Sequence, residues 1–190
     1  MHCSELLDAF HLRLGRLTHA SAQLDFNIGL VLNWLGQHNN IDVSKLLDPK
    51  KTQLCQRLGK LEELIKKVYD HTKPQVASDF DAWFQRAEKA RALRNDYVHA
   101  RWGLPGELKD EEPYVFFLVL NWDMNPGQPD KTIKLTFNEF DRQIEEVSTL
   151  AGDFMKLRDR HAKHAIPAAW WREKNMDISN PVSNSRFLKL

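Results

Sequence analysis

The chain has 190 residues, of which 42% are hydrophobic and 28% charged, and its formal net charge is +1. This length suits one domain with a real core, and the near-neutral balance excludes a polyelectrolyte that grips nucleic acid over its whole surface. Two widely spaced cysteines, Cys3 and Cys55, make neither a disulfide framework nor a metal knuckle and predict a reducing, cytoplasmic setting. The start Met1-His2-Cys3-Ser4-Glu5 lacks the basic flank of a signal peptide, and the longest apolar run, Tyr114 to Leu120, is too short to span a bilayer, so a soluble protein is expected.

A first helix is predicted over about 4–37, where Leu7, Phe10, Leu14, Leu17, Ser21, Leu24, Ile28, Val31 and Leu35 recur in steps of three and four. Gly15 and Gly29 lower helix propensity and mark either close helix approach or slight bends, and Asn39-Asn40 ends the element. Asp48-Pro49 opens a second helix, about 48–71, with Leu54, Leu58, Leu61, Ile65 and Val68 on one seam. Pro74 separates it from a third helix, about 77–103, whose Ser78 and Asp81 approximate a capping box. Phe80, Trp83, Phe84, Ala87, Ala90 and Leu93 supply its buried side, and Gly103, Pro105 and Gly106 stop it. The first two helices are expected to lie antiparallel.

Tyr114–Trp122 and Lys131–Phe137, joined through Asn125-Pro126-Gly127, read as a β-hairpin. Thr136 and Glu139 form a capping box for a last long helix, striped by Phe140, Ile144, Val147, Leu150, Ala151, Phe154 and Leu157. The fold class that follows is mainly α: a bundle of four main helices with a hairpin, about 114–137, inserted before the last. Residues 1–165 form the helical domain. Residues 166–190 form a C-terminal arm whose adjacent Trp170 and Trp171 predict docking on the body or on a second subunit.

The last turns of the third helix carry Arg94-Asn95-Asp96-Tyr97-Val98-His99-Ala100-Arg101-Trp102-Gly103. A permanently charged guanidinium and a group that titrates near neutrality stand five residues apart, about 140° around a helix, within reach of a leaning arginine. Such a pair suits phosphodiester cleavage, in which one group holds negative charge while another moves a proton. Five cations, Arg86, Lys89, Arg91, Arg94 and Arg101, stand here against Glu88 and Asp96. They make a local basic patch on a nearly neutral protein.

This segment resembles the signature of the HEPN superfamily, in which Arg, followed by Asn, Asp or His, precedes a His by four to six intervening residues. The resemblance covers the helix 77–103 and the helical plan around it. It implies a metal-independent endoribonuclease of toxin or defence type, needing no cofactor, in which the ribose 2′-hydroxyl attacks its own phosphate to leave a 2′,3′-cyclic end. His99 would then transfer the proton, Arg94 would hold the phosphate oxygens and Asn95 would orient the histidine or the backbone. Two copies are expected to face each other across a homodimer cleft. RNA is the implied partner, with an antitoxin or defence-system protein as a further one. Family members modified by a partner nucleotidyltransferase carry a tyrosine two residues after the histidine; Arg101 stands there in this chain.

Arg91, Tyr97, Arg101 and Trp102 are candidates for holding RNA, the first and third through charge and the aromatics by stacking. Each has a plainer reading: the arginines pair with acids, His99 caps a helix end, and Tyr97 and Trp102 pack. The alternative function is an inactive helical module that binds a protein or nucleotide; a third is a structural dimerising protein. His161 and His164 are three apart without a third metal ligand nearby, and with Lys156, Arg158, Arg160 and Lys163 they read as a basic helix end able to touch phosphate. No glycine-rich phosphate loop, nucleophile elbow or paired-carboxylate motif is present.

Overall fold

The computed structural model describes residues 3–38, 41–48, 52–103, 112–119 and 131–165. Four long helices carry the fold: α1 (Cys3–His38), α3 (Leu54–Val68), α4 (Pro74–His99) and α5 (Phe137–Arg160). The short α2 (Ser44–Leu47) links the first pair, and β1 (Arg101–Gly103), β2 (Tyr114–Val119) and β3 (Lys131–Thr136) form a sheet between α4 and α5. The expected hairpin is present and gains a third antiparallel strand, in the order β1-β2-β3. Trp102 sits opposite Phe117, and Phe117 opposite Ile133.

Contacts along the helices fix their directions. Arg13 pairs with Asp141 near the starts of α1 and α5, and the Arg158 guanidinium lies over Trp34 near their ends, so these two run parallel. Phe10 meets Trp102 just past the end of α4, and Tyr97 meets Gln143 near the start of α5, so α4 runs against both. The turn Tyr69–Lys73 folds α4 back on α3, bringing Tyr69 onto Phe80. Two reversals set α3 parallel to α1, against the antiparallel pair expected from the sequence. The reason is local: α2 and its flanks carry the chain back along α1, so that Arg57 reaches Asp25 in mid-helix at 2.6 Å.

The helical stripes supply the core. Phe10, Leu17, Leu24, Ile28 and Leu35 of α1 meet Leu58, Leu61, Ile65 and Val68 of α3, Phe80, Trp83, Phe84 and Ala87 of α4, and Phe140, Ile144, Val147, Leu150 and Phe154 of α5. On α1 the buried side starts at Leu6, leaving Leu7 38% exposed. The capping box at Thr136 forms as expected, with Glu139 closing on the Thr136 backbone and hydroxyl. Elsewhere the caps move. Gln53, paired with Gln56, starts α3, and Pro74 sits in the first turn of α4, where its missing N–H costs nothing. The expected helix end at Asn39-Asn40, the loop 125–127 and the arm 166–190 lie outside the described residues.

Candidate functional site

Two signals compete at the end of α4. Nothing in the sequence between Asp96 and Trp102 breaks a helix, yet α4 stops at His99 and Ala100 swings to φ −74°, ψ 153°, feeding Arg101–Gly103 into the sheet. Strand pairing with the apolar β2 overrides a weak helical preference. Arg101 therefore lies on β1 opposite Leu118, and not in the last turn of a helix running to about residue 103 as expected.

The structure brings Arg94 and Asn95 together. An Arg94 Nη1–H donates to Asn95 Oδ1 at 3.1 Å, and both side chains are half-buried. His99 occupies the last position of α4, exposed, and its imidazole makes no hydrogen bond among the described residues. Arg94 and His99 are close in sequence but make no hydrogen bond to each other. Of the five cations in this stretch, two are neutralised: Arg86 pairs with Asp153 at 3.0 Å, and Arg91 pairs with Glu88, which raises the arginine's proton affinity further. Lys89, Arg94 and Arg101 have no carboxylate partner among the described residues.

Tyr97 and Trp102 are placed as packing residues, as their plainer reading has it. Tyr97 is 2% exposed, between Phe117 at 4.9 Å and Phe140 at 5.2 Å, and its hydroxyl donates to Gln143 Oε1. Burial raises its phenol well above the ordinary tyrosine range. Its ring offers no face to a base. Trp102 lies against Phe10, Tyr97 and Phe117, with ring centroids 4.6, 5.3 and 5.0 Å away.

At the opposite end of α4, Asp79 gathers three donors. His161 Nε2–H, Arg160 Nη1–H and Gln75 Nε2–H reach its carboxylate at 2.9, 3.1 and 2.6 Å, and the His161 contact is the leading reason its pKa falls below the usual carboxylate value. The basic end of α5 is largely neutralised: Lys156 pairs with Asp153, Arg158 with Asp159 and Arg160 with Asp79. Rings of His161 and His164 stand 6.2 Å apart, and no three His, Cys, Asp or Glu side chains converge on a metal position among the described residues. A pocket of about 260 Å³ opens between α1 and α5, floored by Ile28, Leu61, Trp83 and Phe154 and rimmed by Trp34 and Arg158. Its lining is mostly apolar, with Asn27, Asn33, Gln37 and Arg158 as the polar groups, and it holds no histidine, carboxylate, cysteine or lysine; Asp159 already engages Arg158.

No helix among the described residues is long and apolar enough to cross a membrane. The sequence signal for Asp79–His161 was the acid one turn into α4 and the histidine ending α5, but the pairing spans 82 positions and only the fold brings it together. Compared with known proteins, the chain matches no family model, no curated sequence and no solved structure.

Proposed function

We propose that the chain is a metal-independent endoribonuclease resembling the HEPN enzymes, acting as a homodimer on RNA. The observation that supports it most is a half-buried arginine without a carboxylate partner among the described residues, one hydrogen bond from an amide and about one turn from an exposed histidine. Neighbouring arginines of the same helix are paired off, so Arg94 keeps charge for an anion. In the reaction, the His99 imidazole takes the proton of a ribose 2′-hydroxyl, the 2′-oxygen bonds to phosphorus, and the bond to the 5′-oxygen breaks. That oxygen receives a proton from water or from the second copy's imidazole. The products are a 2′,3′-cyclic phosphate and a 5′-hydroxyl. Arg94 holds the non-bridging oxygens as charge builds, a role worth about 10²–10³ in rate for a well-placed donor. Asn95 holds the guanidinium in place, and Arg101 adds charge at the edge.

A second reading, a non-catalytic module binding a protein or nucleotide, is favoured by the absence of a hydrogen bond between Arg94 and His99 and by the loss of Tyr97 as a stacking surface. Incubating the purified protein with mixed RNA in excess chelator separates the two. Cleavage that disappears in both Arg94→Ala and His99→Ala is the expected result. Cleavage by both variants at the wild-type rate removes this site from consideration, and an inert wild type that binds a partner tightly leaves the module.

A further inference from the structure

We infer that Trp102 is a positioning residue that fixes the reacting end of α4; its catalytic consequence rests on the ribonuclease reading. Its indole Nε1–H donates to the Tyr97 carbonyl oxygen at 2.9 Å. That carbonyl is one of the last four of α4, which lack helical partners. In a continuing helix the N–H of Arg101 would serve it, but Arg101 has been drawn into β1. No left-handed glycine closes the helix, because Ala100 goes straight to extended backbone. The indole therefore stands in for the missing turn.

The ring that carries this donor is itself held. Besides Phe10, Tyr97 and Phe117, it lies nearly parallel to Phe140, at 8° and 6.2 Å between centroids. Four elements, α1, α4, β2 and α5, thus grip one side chain. Tyr97 is anchored at both ends, its carbonyl by Trp102 and its hydroxyl by Gln143 of α5. His99 stands two residues beyond that anchor, and its imidazole makes no hydrogen bond among the described residues. Its position is inherited from the backbone of the turn. Misplacing a reacting group by about 1 Å costs up to about a hundredfold in rate, so a frayed last turn is felt in chemistry before it is felt in folding.

Trp102→Phe keeps an aromatic ring and removes the donor. The test compares single-turnover RNA cleavage at saturating protein, apparent RNA affinity and amide hydrogen exchange in this variant and in wild type. Ile65→Val, a core change on α3 away from the motif, serves as a control for general loss of stability. Trp102→Phe is expected to cleave about ten- to a hundredfold more slowly at unchanged affinity, with faster exchange of the amides of 98–101, while Ile65→Val cleaves at the wild-type rate. Equal rates in Trp102→Phe and wild type overturn the inference, as does an equal loss in the control. An inert wild type refutes the ribonuclease reading instead; unchanged exchange at 98–101 in Trp102→Phe then refutes the clamp separately.

Discussion

Asp79→Ala tests how this fold joins its far end. The Asp79 carboxylate accepts from His161, Arg160 and Gln75, but the three contacts are unequal. The Arg160 side chain is 61% exposed, so solvent screens its pairing and it contributes little. His161 is buried, its side chain 5% exposed, and loses its Nε2–H partner when the carboxylate goes. Losing a hydrogen bond to a charged group costs about 1.5–3 kcal/mol, so the variant should lose about 2 kcal/mol at neutral pH. In a domain of this size that lowers Tm by about 4–8 °C. The pH dependence has a definite sign. The folded pKa of Asp79 lies below its ordinary value, chiefly through His161. The carboxylate therefore stabilises the fold above about pH 4, and that contribution disappears as pH falls through the folded pKa. Urea denaturation of both proteins from pH 7 downward should show a gap that narrows below about pH 4. A gap that is absent at neutral pH, or constant throughout the acid range, refutes the reasoning.

Other substitutions probe the rest of the frame. Arg57→Ala removes a buried guanidinium bonded to Asp25 at 2.6 Å and to the Leu46 carbonyl at 2.8 Å; it should cost about 2–4 kcal/mol in urea denaturation, and a loss under 0.5 kcal/mol contradicts this. Gly15→Ala and Gly36→Ala should move stability in opposite directions. A Cβ at Gly15 meets nothing within 4 Å and gains about 0.5–1 kcal/mol of helix propensity, whereas one at Gly36 would stand 2.8 Å from the Ile41 carbonyl oxygen and from Val43 Cγ2. Thermal melts that rank the two alike count against that packing. Tyr97→Phe removes only the hydroxyl bonded to Gln143, so it should cost about 1 kcal/mol and leave RNA affinity unchanged; weakened binding in a filter assay would return Tyr97 to the RNA-contacting set.

The helices were legible because their apolar spacing is strong: Phe80, Trp83, Phe84 and Ala87 read as one face and are buried as one face. Thr136 and Glu139 were equally plain, since a capping box is a contact three residues long. Helix direction was not legible. The parallel course of α1 and α3 depends on how residues 41–48 and 52–53 lie along α1, and no periodicity encodes it. Gly15 and Gly29 suggest either close helix approach or slight bends, and the first is excluded because both face open space; Gly36 is crowded, where the chain turns to meet Val43. At the motif, the residue types were visible but their surroundings were not. Tyr97 lies between Asp96 and Val98 in sequence, and the aromatic rings that bury it, Trp102, Phe117 and Phe140, come from beyond the helix. Arg101 was missed as a strand residue because pairing with β2 is nonlocal. The carboxylates that neutralise Arg86 and Arg160 also come from other helices.

The role assigned to His99 and Arg94 is tested most directly by the substrate's own hydroxyl. An RNA carrying one 2′-deoxy sugar at a mapped cleavage position, incubated with wild-type protein in excess chelator, should stay intact at that linkage. The all-ribose RNA should give a 2′,3′-cyclic phosphate and a 5′-hydroxyl, and His99→Ala should give neither. Cleavage of the deoxy linkage, or the same products from His99→Ala, contradicts the account.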